Sequence, residues 1–241
     1  ALPIFLFNRA DCISTISKGM LKKLETKTET ERFFFPNWID YSKINPEIAG
    51  RPTIYNPSKF NILYSGNIGA KQDWDFFIEF VKECKKNSGI HIHLIGEGAK
   101  KEEVVSLVKG FSNLTYSPPV RYEELNDILC GADLHILFQK DTVIDTVMPS
   151  KILGMMASAR PSIVTGYAES EVKTNFESAN GGFYFSGRDT MDNIQKCIAK
   201  LSHDRLYAQT IGANARRFIV ENYSLEKILS TFQKKIEHMN Q

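Results

Sequence analysis

Ser150 and Lys151 follow Pro149 and precede an apolar run, Ile152, Leu153, Met155 and Met156. Pro149 fixes φ for the start of a helix and Ser150 can cap free amides, so a helix is predicted to open near Ser150 or Lys151. Unpaired N–H groups and the positive end of the helix dipole favour an anion there, and Lys151 adds a full charge at the same place. A phosphate-bearing ligand suits that chemistry; an ordinary capped helix with a solvated lysine suits the same residues. Two more glycine-bearing loops follow apolar strands, Gly66-Asn67-Ile68-Gly69-Ala70-Lys71 and Gly96-Glu97-Gly98. Glycine lets a ligand approach the backbone closely, and Lys71 is placed to reach a phosphate. Each loop alone is also compatible with a tight strand-to-helix turn. Together, three loops on one sheet edge, two of them with lysines, point to a diphosphate.

Other reactive residues point elsewhere. Asp73-Trp74-Asp75 has the Asp-x-Asp form of some metal-dependent sugar transferases, but Asp73 is better placed as a helix N-cap with Asp75 in the first turn. His91 and His93 alternate along a strand and share a face without a third ligand at matching spacing, which favours packing or exposure over metal. His135, near Asp133 in an apolar strand, reads as a satisfied core group. No Walker lysine, HExxH or Ser-His-Asp order occurs. A net charge of +2 with acids and bases interspersed gives no nucleic-acid footprint. Cys12, Cys84, Cys130 and Cys197 lie far apart with no Cys-x-x-Cys pair, which predicts buried reduced thiols in a cytosolic protein. No apolar run approaches the roughly 20 residues of a membrane span, and Ala1–Phe7 lacks the basic flank of a signal peptide.

These loops need elements to hold them. The chain opens inside an apolar segment, Ala1–Phe7, either strand or helix, and without an initiator methionine, so a longer protein is expected. A strand at Asp11–Ile16, a helix capped by Ser17 and a strand at Phe33–Phe35 form a unit too small to stand alone. Pro46, Pro52, Pro57 and Gly50 mark a linker over 41–59. Beyond it, strands at Asn61–Ser65, His91–Ile95, Leu114–Tyr116, Asp133–Phe138, Ser162–Thr165 and Gly182–Phe185 alternate with amphipathic helices, including Tyr122–Leu129 and Glu169–Phe176. That alternation predicts an α/β, Rossmann-like parallel sheet with helices on both faces. Helices at Met191–Leu201, Leu206–Glu221 and from Ser224 onward close the chain, the last with the stripe Leu225, Ile228, Leu229, Phe232, Ile236.

Tyr64-Ser65-Gly66-Asn67-Ile68-Gly69-Ala70-Lys71-Gln72, Leu94-Ile95-Gly96-Glu97-Gly98, Pro149-Ser150-Lys151-Ile152-Leu153-Gly154-Met155-Met156-Ala157 and Asn214-Ala215-Arg216 together resemble the donor half of GT-B glycosyltransferases of the family-four type. The nearest likeness is to bacterial capsule, O-antigen and colanic-acid transferases, including fucosamine transferases. Ala10–Ser14 and Phe35–Asp40 resemble the end of the acceptor half and the interdomain connection. The resemblance implies residues 1–40 as an N-terminal remnant, 41–59 as linker, 60–223 as the nucleotide-sugar domain and 224–241 as a closing helix. It also implies a retaining, metal-independent transfer from a nucleoside-diphosphate sugar, UDP in preference to GDP, to a glycan or polyprenyl-linked acceptor, with no cofactor. Such a protein would be cytoplasmic or peripheral at the inner membrane face. Lys71 and Lys151 would stabilise the leaving diphosphate; Gly66, Asn67, Gly69, Gly96, Gly98, Val120, Arg121, Met148, Pro149 and Ser150 would complete the donor site. The chain departs from the common pattern at Asn67, where the family has arginine, and at Thr146 and Gly154, where it has a glutamate pair. A subfamily that relies on the Pro-Ser-Lys run, a non-catalytic sugar-nucleotide binder, and a hydrolysing or epimerising relative using Asp145, Glu169 or Glu171 are the expectations that follow.

Overall fold

A computed structural model describes residues 2–143, 150–187 and 190–239. Its centre is a six-stranded sheet of β3 (Phe60–Ser65), β4 (Ile90–Ile95), β5 (Leu114–Ser117), β6 (Leu134–Phe138), β7 (Ser162–Thr165) and β8 (Phe183–Phe185). All neighbouring strands run parallel, in the order β5-β4-β3-β6-β7-β8. Parallel neighbours require crossovers, and helices supply them: α3 (Trp74–Cys84), α4 (Lys101–Val108), α5 (Leu125–Gly131), α6 (Ser150–Ala157) and α7 (Glu171–Ala179). Strand order grows outward from β3 in one direction and from β6 in the other. Right-handed crossovers therefore put α3 and α4 on one face and α6 and α7 on the opposite one. β6, buried along its length, is apolar apart from His135, as suits a strand covered on both sides.

Three C-terminal helices, α8 (Thr190–His203), α9 (Arg205–Tyr223) and α10 (Leu225–Met239), follow the sheet, and α9 packs on α6, α7, α8 and α10. The N-terminal unit is α1 (Leu2–Phe7), β1 (Cys12–Thr15), α2 (Lys18–Glu25) and β2 (Glu31–Phe34), with β1 and β2 paired in their own two-stranded parallel sheet. Ser17 caps α2, its Oγ accepting from the Met20 amide at 3.0 Å. Part of the α10 stripe docks here, Phe232 stacking on Phe35 with centroids 4.6 Å apart and Lys235 pairing with Glu31, while Leu229 and Ile236 stay exposed.

Residues 41–59 contain no helix or strand yet are tightly held. Tyr55 is buried and donates to the Ile128 carbonyl at 2.6 Å. Arg216 Nη1 donates to the carbonyls of Ile44 (2.6 Å) and Ala157 (2.5 Å), and Nη2 to that of Tyr41 (3.2 Å). One guanidinium thus ties this segment to the C-terminal end of α6, where a cation is favoured by the helix dipole.

Several boundaries differ from the sequence reading. Ala1–Phe7, left open between strand and helix, is helical over Leu2–Phe7. The expected helix Tyr122–Leu129 divides into a 3-10 turn, Tyr122–Glu124, and α5, because the Glu124 carboxylate folds back to accept from the Arg121 amide at 3.2 Å. Of the four thiols, all free, Cys84 and Cys130 are buried, whereas Cys12 and Cys197 are only partly covered. Among the described residues no helix is long and apolar enough to cross a membrane.

Candidate functional site at the carboxyl edge of the sheet

In an open parallel sheet, a crevice forms where neighbouring crossovers diverge to opposite faces, outside the carboxyl ends of the strands. Here that point lies between β3 and β6. The loop after β3 and the start of α6, the helix that follows β6, flank it.

The two glycine loops are built into each other. Gly66 has φ +131° and Gly96 φ +159°, conformations that side-chain-bearing residues rarely adopt. A Cβ on Gly96 would stand 1.9 Å from the Gly66 carbonyl oxygen, so the backbones touch where any other residue would clash. Four backbone bonds lock the arrangement: the Gly66 amide donates to Ile95 (2.9 Å), Ile68 to Glu97 (2.8 Å), Lys100 to Ile68 (2.9 Å) and Lys101 to Gly98 (3.0 Å). Within the first loop, Gln72 Oε1 accepts from the Gly69 amide at 3.1 Å, and Trp74 Nε1 donates to the Gly69 carbonyl at 2.7 Å. Asn67 lies against both Gly69 and Gly98.

Lys151 completes the cradle. Its Nζ would be 3.2 Å from a Cβ on Gly66, lies 4.7 Å above the Tyr64 ring and donates to Tyr64 Oη at 3.1 Å. Tyr64, itself buried, passes its hydrogen to the Asn67 carbonyl at 2.7 Å. Among the described residues no carboxylate pairs with Lys151, whose contacts are a hydroxyl and a π face. Burial holds its ammonium down to about pKa 8. A largely desolvated cation set beside bare backbone, with no carboxylate against it among the described residues, is a site primed for an anion.

The remaining expected residues are placed as follows. Ser150 is exposed and is the first residue of α6, inside the helix rather than its cap, so its own amide has no intrahelical acceptor. Lys71 is exposed on the same edge, its carbonyl accepting from the Lys140 amide (3.1 Å) just beyond β6. Val120 and Arg121 follow β5, one strand beyond β4; Val120 packs on the core, and Arg121 pairs with Glu124 at 2.9 Å on the surface. Met148, Pro149, Thr146 and Asp145 lie outside the described residues.

The strand histidines are held by polar contacts within the sheet and core. His91 meets Thr115 Oγ1 at 2.9 Å and His93 meets Asn61 Oδ1 at 3.1 Å. Burial pushes His93 down to about pKa 4. His135 contacts Ser158 Oγ at 3.0 Å, and burial, aided by Arg160, pushes it down to about 3, so it stays neutral in the core. Asp73 caps α3, accepting from the Phe76 amide at 3.0 Å. Among the described residues no group of three or more His, Cys, Asp or Glu could hold a metal ion.

Residues 59–204 match the family described as glycosyl transferases group 1. The chain belongs to the group 1 glycosyltransferases. It is 30% identical over 175 residues to the putative colanic acid biosynthesis glycosyl transferase WcaI of Escherichia coli K12, a match covering 68% of this chain and 43% of that protein. Among solved folds it superposes on S. aureus TarM, crystallised with fondaparinux, α-GlcNAc-glycerol and UDP, with TM-score 0.75 at 16% identity, covering 96% of this chain and 45% of TarM. It also superposes on Anabaena HepE, crystallised with UDP-glucose, with TM-score 0.76 at 12% identity, covering 98% of this chain and 66% of HepE. The chain thus spans less than half the length of WcaI and of TarM.

Membership makes the departures at Asn67 and Gly154 informative. Asn67 is spent inside the loop pair, against Gly69 and Gly98, and offers no charge. Gly154 is buried on α6, and a Cβ there would come 3.3 Å from Leu129 Cδ1, so a larger side chain would press on α5. The residue that sequence reading passed over is Tyr64, quoted within the loop motif but given no role. Its place at the penultimate position of a buried strand, two residues before the glycine, is the signal that could have found it.

Proposed function

We propose that this chain is the donor-binding half of a glycosyltransferase that moves a sugar from a nucleoside diphosphate to a glycan or polyprenyl-linked acceptor in surface-polysaccharide assembly. The observation that carries the reading is the largely covered ammonium of Lys151 over Gly66, with no carboxylate against it among the described residues, at the switch point between β3 and β6. Gly66, Asn67, Gly69, Gly96, Gly98, Ser150 and Lys151 would hold the diphosphate, with Lys71, Val120 and Arg121 further along the edge, and Met148 and Pro149 preceding α6. As the glycosidic bond breaks, negative charge grows on the leaving diphosphate, and the ammonium and free helix amides stabilise it; losing one such donor costs on the order of 10²–10³ in rate. The transfer is retaining and needs no metal, since lysine charge takes the role a divalent cation would otherwise fill. UDP is favoured over GDP, consistent with the UDP and UDP-glucose in TarM and HepE crystals. Residues 1–40 would then end an acceptor half, 41–59 connect the halves, 60–223 bind the donor and 224–241 close back on the first segment. The whole protein would work in the cytoplasm or at the inner membrane face, and the chain by itself binds donor weakly without transferring sugar.

A thermal-shift series with UDP-, GDP- and ADP-sugars tests this, because stabilisation tracks affinity. UDP-sugars should stabilise the chain, Lys151→Ala should abolish the shift, and Lys100→Ala should keep it. Equal losses in the two variants reject the site.

A further inference from the structure

A half-open cavity of about 620 Å³ lies at the other, amino-terminal edge of the six-stranded sheet, within the size range of small-molecule sites. Phe60 and Ile90, which open β3 and β4, line it, as do Asp133 and Pro161, which precede β6 and β7. The 41–59 segment forms one wall and the α8–α9 junction another. It is separated from the carboxyl-edge cradle by the length of the strands.

Its lining is cationic. Arg51, Lys59, Arg160 and Arg205 face it together with His203, against the single carboxylate of Asp133. Asp133 is already engaged, its Oδ2 accepting from the Asn61 amide at 2.7 Å. Arg160 Nε donates to the Cys130 carbonyl at 2.7 Å, which fixes the guanidinium and leaves Nη1 and Nη2 without a partner among the described residues. Lys59 bonds the Ser88 carbonyl. The side chains of Arg51 and Arg205 have no hydrogen bond or ion pair among the described residues. Positive charges gathered in one concavity repel one another unless an anion joins them, and arginine forks match the oxygens of a phosphate in pairs.

We propose that this cavity is a second anion site, one that takes a small phosphate-bearing molecule and is independent of the sugar-nucleotide cradle. Arg51 belongs to the 41–59 segment and Arg205 opens α9, so a phosphate held by both ties that segment to the helix already clamped to it through Arg216. The phosphate could belong to a soluble compound or a lipid headgroup; the concavity favours the soluble one.

Amide NMR of the chain titrated with inorganic pyrophosphate tests the proposal. The expected result is saturable shifts at Arg51 and His203, at least about tenfold weaker in an Arg51→Ala/Arg205→Ala double variant. Lys151→Ala should remove any shifts at Gly66 and Gly96 while leaving those at the amino edge. Absence of amino-edge shifts, unchanged affinity in the double variant, or a response to phosphatidylglycerol vesicles but not to pyrophosphate overturns the proposal. Failure at Gly66 and Gly96 alone bears only on the sugar-nucleotide reading.

Discussion

The two edges of the six-stranded sheet both present positive charge, by opposite means. At the carboxyl edge one ammonium is largely covered by a tyrosine and two glycine loops, with no carboxylate beside it among the described residues, and its desolvation costs folding energy. At the amino edge the cations are Lys59 and three arginines, of which Arg51 and Arg205 are exposed and keep most of their hydration. A desolvated charge attracts its ligand strongly and is hardly screened; an exposed cluster attracts weakly and is screened by salt. Strength at the first edge therefore depends on geometry, and at the second on the number of charges.

The largest effect expected to break this contrast is Gly96→Ala. With φ +159° and a 1.9 Å approach to the Gly66 carbonyl, the methyl group cannot be placed without separating the loops. Denaturant titration should show a loss of about 3 kcal/mol or more, with donor binding lost and the amino-edge cavity still responsive. A loss under about 1 kcal/mol would mean that the loop contact is soft.

Lys151→Met sharpens the comparison through stability. Burial lowers its folded pKa from lysine's ordinary 10.5 to about 8, so folding works against the charged form at neutral pH. Between these values the unfolded chain binds the proton more tightly, so this group's contribution makes stability rise with pH across that window. At pH 7 the methionine variant should be more stable than the parent by on the order of 1–3 kcal/mol while binding no UDP-sugar. The gain should shrink as pH passes from 8 toward 10.5, and donor affinity of the parent should fall above pH 8. A destabilised variant at pH 7 would show that the tyrosine contacts outweigh the desolvation.

The smallest effect belongs to Arg121→Ala. Its pair with Glu124 is on the carboxyl edge but largely in water, so unfolding free energy should change by no more than about 0.5 kcal/mol. A large drop in donor affinity in the same variant would show that Arg121 leaves Glu124 to reach the ligand.

Much of this arrangement is legible locally. Ser17, Asp73 and Ser224 are caps whose partners lie three residues away, the reach of a single helical turn. Ser162–Thr165, with Ile163 and Val164 at its centre between a proline and a glycine, is β7 without adjustment. Tyr122–Leu129 misled because apolar periodicity does not distinguish a tight 3-10 turn from the α-helix it leads into. The role of Tyr64 was hidden because its partner, Lys151, lies 87 positions along the chain.

Alternation of short apolar strands with amphipathic helices, and the glycine and lysine positions after them, were set by the order of residues alone, since backbone preference and side-chain period act over a few neighbours. Which loops touch was decided only in three dimensions. The strand order that parts after β3 and β6 brings Lys151 over Gly66 and removes it from water, and the same sheet carries Arg51 and Arg205 to its far edge. Charge becomes a binding site through burial and juxtaposition, and both are properties of packing between segments distant in sequence.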